Sequence, residues 1–502
     1  MSKKPNSDAP PSGRRLRTPR LFRNWISMLG ILLSVSAVFA FILLFAIDLM
    51  AETSNPYMGI LCYLIAPFFF FSGCGLMLIG YWLQRRHRKK TKGKATPLVL
   101  SIDLSRKSDQ KRLIGFALVS VGFLLITAFG SYQSYHTMET VSFCGKACHE
   151  PMEPQFVAYQ HSPHAHVACA ECHVGSGATA YVKTKINGMR QLYHQTMGDF
   201  SRPIVLHDRE KRPTQETCEK CHWRESHVGT VAKTFRYYLA DEENTPWTIR
   251  MQINVGGGDP AEGKVSGVHW HMNIANQIEF ISTDDGQEIP WVRMTDIDGK
   301  VTEFKTPDFD GNIADHTIKK MDCMDCHNRA AHQFKSPNEA VDRAMTMGKI
   351  DPTMPWAKMK AVKALTDPYA DSTEALAKID EYLRAEYPDD KRVETLVTEV
   401  QSIYKKNFFP GMKADWRAYP DNLSHKNWAG CFRCHDGNHK ATTGDLKIKA
   451  SDCTSCHIIT SQGSTVEELA KYTPKGLDFL HIDSEYEDYD CAECHTGGNQ
   501  EE

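Results

Sequence analysis

Three long apolar runs dominate the first quarter of the chain. Residues 25–50 are almost uncharged, with Asp48 near the far end; residues 57–83 form a second run and residues 113–132 a third. Each is long enough to span a bilayer as a helix. Pro67 falls inside the second run, where a membrane helix tolerates it as a kink. Beyond residue 132 the pattern changes and no comparable run recurs. Residues 245–306 alternate in the manner of strands, from Trp247 to Val255 and again at Ile278-Glu-Phe-Ile281, with turn signals at Asp284-Asp-Gly and Asp298-Gly. Residues 336–409 carry helical periodicity, opened by Ser336-Pro-Asn-Glu339 and again by Asp371-Ser-Thr-Glu374, both with an N-cap residue and a Glu three positions on. The expected fold is mainly α with sparse regular structure: three transmembrane helices, then a large domain with a small β insertion.

Charge orients these elements. Residues 1–24 hold seven Lys and Arg against one acid, and residues 84–112 hold eleven against two; the loop 51–56 has none. The positive-inside rule places both basic segments in the cytoplasm and residues 133–502 outside. No small-residue cleavage site follows the long basic start, so the first run reads as an uncleaved signal anchor. The basic loop reads as a topology signal and lipid-surface anchor, with no nucleic-acid partner expected. The formal net charge of −2 hides an asymmetry, because residues 131–502 carry 41 basic against 56 acidic residues. That field favours basic partners.

Cysteine spacing then decides the chemistry. Six Cys-x-x-Cys-His motifs occur: Cys169–Cys172–His173, Cys218–Cys221–His222, Cys323–Cys326–His327, Cys431–Cys434–His435, Cys453–Cys456–His457 and Cys491–Cys494–His495. A seventh is one residue longer, Cys144-Gly-Lys-Ala-Cys148-His149. Two thiols so spaced reach both vinyl groups of one heme while the adjacent His binds its iron. A zinc ribbon or disulfide framework does not require a His after every second Cys. Seven covalent hemes c are expected. Cys62 and Cys74, within the second apolar run, read as small apolar helix residues.

Each iron takes a second ligand on its far side, and fourteen His outside the motifs follow residue 132. Such an excess suits mostly bis-His, coordinatively closed iron. His332 trails the fourth motif and His439 the fifth, while His316, His425 and His481 each precede a motif; His161, His164, His194 and His227 complete the candidate set. One of His269 and His271 is a further candidate, both expected on one face of a strand. For His166 and His207 a structural role reads at least as well.

The span before Cys144, the segment from Tyr159 to Cys169 with His161 and His164, the Cys169-Ala-Glu-Cys-His-Val run, the Lys183-Thr-Lys185 stretch and the fourth motif with His332 together resemble the NapC/NirT family of membrane-anchored quinol dehydrogenases. Seven motifs, three spans and a C-terminal three-motif half resemble more closely the ImcH-type inner-membrane cytochromes of metal-respiring bacteria. The resemblance implies a membrane domain (1–132), a tetraheme domain (133–335) with the insertion, a helical spacer (336–410) and a triheme domain (411–502). It implies an inner-membrane quinol dehydrogenase that oxidises menaquinol from the quinone pool and passes electrons to periplasmic c-type cytochromes, in anaerobic or extracellular-acceptor respiration. Family members place a Met ligand just after the first motif; here Met152 stands one residue later. Lys185, Lys183 and His136 are the candidates to handle quinol protons. The family's carboxylate about two turns beyond the Lys is replaced by Arg190, Gln191 and Leu192. Two other readings are a terminal reductase of the nitrite or hydroxylamine type and a passive heme-bearing anchor for another reductase. The first usually uses Cys-x-x-Cys-Lys, which is absent; the second leaves the extra spans and motifs without a purpose.

Overall fold

The computed structural model describes residues 25–50, 66–90, 136–174, 178–204, 214–223, 229–256, 266–272, 276–283, 286–449 and 453–481, with isolated residues between 107 and 133. The chain divides into two units, residues 1–139 with 176–186, and residues 140–175 with 187–502.

In the first unit, α1 (Trp25–Met50) and α2 (Ala66–Lys90) are long and apolar enough to cross a membrane. They approach closely because small residues line the crossing. A Cβ added to Gly30 would stand 2.5 Å from the Gly73 carbonyl oxygen, and one added to Gly73 would stand 2.6 Å from that of Gly30. Ser34 Oγ donates to the Phe70 carbonyl at 3.2 Å. Backbones that meet through glycine and serine gain packing contacts that larger side chains would prevent, which is the usual basis of helix pairing in lipid. Phe39, Ile42, Phe68, Phe71 and Leu78 face outward, as a lipid-facing surface requires. The third expected run, 113–132, lies largely outside the described residues. Those described there are helical, and Ile114, Leu118, Val121, Leu125 and Phe129 are exposed at helical spacing.

The second unit begins with a short helix, Val141–Lys146, followed by α3 (His149–Gln160), and takes in the C-terminal part of α4 (Ala178–Met197) from Asn187. Its helical module follows the expected capping signals: α5 (Pro337–Thr346), α6 (Ala357–Thr366), α7 (Ser372–Glu386) and α8 (Val393–Asn407). Ser336 Oγ accepts from the Glu339 amide, and Asp371 accepts from the amides of Thr373 and Glu374. These helices bury Val341, Ile350, Leu365, Ile379, Leu383 and Leu396 in one cluster drawn almost wholly from residues 334–419.

Eight strands occur among the described residues: β1 (Thr230–Tyr238), β2 (Pro246–Asn254), β3 (Gln277–Ile281), β4 (Trp291–Thr295), β5 (Val301–Lys305), β6 (Lys319–Lys320), β7 (Lys440–Ala441) and β8 (His457–Gly463). They form two sheets, β1-β2-β8 and β6-β3-β4-β5-β7. The insertion is thus larger than the sequence pattern marked, since β1 begins before residue 245. It also recruits β7 and β8, so the sheets cross the boundary expected at residues 410–411. His269 and His271 do not lie on a strand: Val268–Met272 is a 3-10 turn.

A buried ion pair joins α5 to α6, and its carboxylate also holds the β1–β2 hairpin. Lys358 Nζ lies 2.5 Å from Asp342 Oδ1, with both side chains almost inaccessible. The same carboxylate accepts from the Tyr238 amide at 3.0 Å, and Lys358 Nζ also donates to the Asn338 carbonyl at 2.9 Å. Burial raises the Asp342 pKa and lowers that of Lys358, each shift opposed by the partner's charge. Removing one partner would strand the other charge. Asp342→Ala should lower stability by about 3–5 kcal/mol, read as an earlier thermal or denaturant transition of the purified protein. Asp342→Asn with Lys358→Met should recover most of that loss. Equal midpoints for the single variant and the wild type would show that the pair contributes nothing.

Candidate functional site

Each described Cys-x-x-Cys-His motif is folded as a short turn. The amide of His222 donates to the Cys218 carbonyl at 2.8 Å, that of His327 to Cys323 at 2.8 Å, and that of His435 to Cys431 at 3.1 Å. The closed turn projects two thiols and one imidazole from a single loop of backbone. At the fourth motif Asp322 and Asp325 form a reciprocal cap that fixes the turn. In the longer first motif Gly145 is buried under the Phe156 ring, where a Cβ would collide. The side chain of His149 and the whole seventh motif, Cys491, Cys494 and His495, lie outside the described residues.

Five motif imidazoles each face a second, distant imidazole. His173 stands 6.1 Å from His332 between ring centres, His222 stands 6.0 Å from His164, and His457 stands 6.2 Å from His425. His327 stands 6.3 Å from His269, and His435 stands 5.8 Å from His271. Two imidazoles bound trans to one metal through bonds of about 2 Å have ring centres about 6 Å apart. All five distances fit that spacing. No group of three or more His, Cys, Asp or Glu side chains that could hold a metal ion occurs among the described residues; the paired imidazoles and the motif thiols are the residues that would hold a heme.

The rings are set by their second nitrogens. His332 Nδ1 is 3.0 Å from the Gln155 carbonyl, and His164 Nδ1 is 2.9 Å from that of Ala330. His271 Nδ1 is 2.9 Å from the Val268 carbonyl and His435 Nδ1 is 3.1 Å from that of Lys449. A carbonyl on Nδ1 selects the tautomer that leaves Nε2 as the donor to a metal. Burial pushes the His332 pKa down to about 4, and lowers those of His271 and His457. These rings therefore stay neutral, the form that coordinates. The loop bearing His164 is clamped by Tyr159, whose hydroxyl donates to the carbonyls of Ala165 and Val167, both at 2.8 Å.

The motifs are also close to one another. Cys144 and Cys169 are within hydrogen-bonding reach. Cys172 lies near enough to Cys218 and Cys221, and Cys326 to Cys431, for their charges to interact.

Several expected ligands sit elsewhere. His439 is fully buried, yet its Nε2 is 2.6 Å from the Ile289 carbonyl and its Nδ1 is 2.9 Å from Asp436. Both nitrogens thus have partners within the fold. His316 packs on the Phe309 ring at 5.7 Å, His481 lies 6.4 Å from Phe479, and His194 Nδ1 is 2.8 Å from Asp199. His161 and His166 are exposed, and Met152 is half-buried in α3. His207 and His227 lie outside the described residues. Lys183 is exposed on α4; the Lys185 side chain is outside the described set. Lys183, Lys185 and His136 all belong to the membrane unit. Sequence reading undervalued His269 and His271, since both, not one, face a motif imidazole. In a 3-10 turn of about three residues per turn, positions two apart point about 120° from each other, so the two rings reach different partners.

Thiol-bearing turns and facing imidazoles are the arrangement of a c-type cytochrome, here continuous in the chain with a unit of membrane helices. Residues 106–234 match the NapC/NirT cytochrome c family, N-terminal region. The chain is 35% identical over 492 residues to the cytochrome c-type protein ImcH of Geobacter sulfurreducens, covering 95% of this chain and 96% of that one. It is 33% identical over 78 residues to the cytochrome c-type protein NrfH of Wolinella succinogenes, covering 15% of this chain and 44% of that one. No solved structure matches. The chain belongs to the NapC/NirT family of cytochromes c.

The contrast between His439 and the paired rings can be tested directly. His439→Ala should cost about 2–4 kcal/mol of stability through a cavity and an unsatisfied Ile289 carbonyl. Its heme content and low-spin absorption should match the wild type. A missing heme, or a new high-spin band, would return His439 to the ligand set.

Proposed function

We propose that this protein is a heptaheme quinol dehydrogenase of the cytoplasmic membrane. It takes electrons from menaquinol and delivers them to periplasmic c-type cytochromes. The observation that carries the reading is the set of five imidazole pairs, because two protein nitrogens holding each of those five hemes would leave no position for a substrate. That supports a conduit over a terminal reductase. Heme c, when bound, exchanges one electron per group without releasing an intermediate. Seven groups are expected, two of them on the first motif and the seventh.

This chain's residues have three tasks. Thiols and motif imidazoles fix each group, distal imidazoles close it, and the membrane unit meets the lipid-soluble donor. Menaquinol gives up two electrons and two protons, so the donor site needs a polar group at the bilayer surface. Lys185, with Lys183 and His136, fills that role: to orient the quinol hydroxyls and receive their protons. Met152 is the proposed far-side ligand of the first group, where a thioether would raise the potential relative to bis-His neighbours.

Replacement of Lys185 by Leu should slow quinol-driven reduction by about 10²-fold while dithionite reduction stays complete. An intact mass with seven heme additions should accompany both proteins. Unchanged quinol oxidation would make Lys185 a lipid-surface anchor that snorkels to phosphates; six or fewer additions would refute the count.

Delivery is proposed at the C-terminal acidic run, Asp483, Glu485, Glu487, Asp488 and Asp490, which suits a basic cytochrome. Because β7 and β8 complete the two sheets, truncation from residue 410 would not be a clean test. Neutralising the five acids should instead lower the association rate with such a partner and flatten its salt dependence. An unchanged rate across ionic strength would place docking elsewhere.

A further inference from the structure

We propose that the turn Val268–Met272 is a double-ligand clasp: His269 completes the iron site of Cys323–Cys326–His327, and His271 completes that of Cys431–Cys434–His435. The β insertion then joins the last site of the first motif group to the first site of the second. This deepens the reading of the motifs as heme c sites and rests on it.

The geometry is specific to this turn. His269 faces His327 at 6.3 Å with ring planes 11° apart, while His271 faces His435 at 5.8 Å with planes 90° apart. A single residue, Trp270, separates the ligands in sequence, yet their partners belong to different motif groups. The turn is pinned on several sides. The His269 amide donates to the Val255 carbonyl at 3.1 Å, and the Trp270 amide to that of Gly267 at 3.0 Å. Gly267 has φ 82°, and a Cβ there would stand 2.5 Å from the Asn254 carbonyl, so only glycine lets the chain pass so close to β2. Trp270 packs against the cluster of Ile278, Phe280, Ile289 and Val292, which anchors the turn to the larger sheet. Asn276 Nδ2 donates to the Trp270 carbonyl at 3.2 Å.

The two motifs served by the clasp are themselves bolted together. One Arg433 guanidinium nitrogen donates to the Asp325 carbonyl at 2.7 Å and the other to that of Gly286 at 2.8 Å. Asn422 Nδ2 donates to the same Asp325 carbonyl at 3.0 Å. Arg433 sits between the two cysteines of one motif and Asp325 between those of the other. Motif turns are thus joined on the thiol side and by one turn on the distal side. Adjacent sites held by a shared brace keep a fixed separation, which is what one-electron exchange between the two groups needs.

The ring angles supply a readout that is independent of turnover. Parallel imidazole planes split the two iron orbitals that overlap with the rings, and perpendicular planes leave them nearly equal. The His269 site should therefore give the most rhombic low-spin electron paramagnetic resonance signal, and the His271 site the most axial. The other three pairs have planes 24°, 49° and 64° apart.

The experiment uses the full-length protein with its hemes. His269→Met and His271→Met are compared with wild type and with His439→Ala, a buried His of the same region whose nitrogens both serve the fold. Peptide mass mapping reports heme on Cys323–Cys326 and Cys431–Cys434. His269→Met should abolish the most rhombic signal alone and His271→Met the most axial alone, each at full heme content. His439→Ala should keep both. Retention of all low-spin signals in either Met variant overturns the clasp. Wild-type spectra give an arm that needs no variant to fold: absence of a strongly axial species overturns the His271 assignment. Absence of heme on the two mapped peptides would instead defeat the underlying heme reading, so the two failures are distinct.

Discussion

Five pairs of imidazoles stand about 6 Å apart, and the hydrogen bonds of the second unit hold that spacing. Motif turns present one ring of each pair, and the other arrives from a different segment of the chain. The carbonyls of Gln155, Ala330, Val268 and Lys449 turn the rings by holding Nδ1. A fold built for this purpose has little need of a continuous side-chain core around the motifs. The large apolar cluster accordingly belongs to residues 334–419, and the sheets keep only small clusters of their own. The helical module is the one part of the second unit that packs as an ordinary globular protein does.

The helices of that module were legible because their signals are local. Ser336 and Asp371 cap where the pattern places them, and the apolar positions recur at helical spacing. The motifs were legible for the same reason, as a covalent attachment fixes five or six consecutive residues. The sheets were only partly legible. β1 carries Thr, Lys and Arg on much of its exposed surface and lacks a clean alternation, and β7 and β8 pair with strands far earlier in the chain, Ala441 with Phe304 and His457 with Ile253. Nothing local in Lys440–Ala441 or His457–Gly463 announces those partners.

Axial ligands expose the limit more sharply. Proximity in sequence favoured His439, four residues after a motif, yet that short span bends the ring back onto Asp436 and Ile289. His332 was also favoured by proximity to the fourth motif, with no partner assigned, and it faces the second motif's His173. His269 and His271 were weighed against each other on the assumption of a strand, where both would point one way. The 3-10 turn divides them. Pattern reading finds the residue types, while the direction of each ring depends on backbone geometry that pattern alone does not carry.

The pairings are interleaved, and that has a consequence for how the unit holds together. His164 precedes the second motif and faces the third; His332 follows the fourth and faces the second; His271 lies before the fourth and faces the fifth. None of these five motif imidazoles faces a His from the residues next to its own motif. A group attached covalently to one segment and ligated by another cross-links the two, and closing a long loop in this way removes much of the unfolded chain's freedom. His332 and His164 show it in miniature: His164 bonds the carbonyl of Ala330, two residues from His332, and His332 bonds that of Gln155, in the helix leading into the His164 loop. Two motif sites therefore share one strap, and neither ring can turn away without disturbing the other. The same interleaving that hides the ligands from sequence reading lets a unit with a sparse core keep its sites in register.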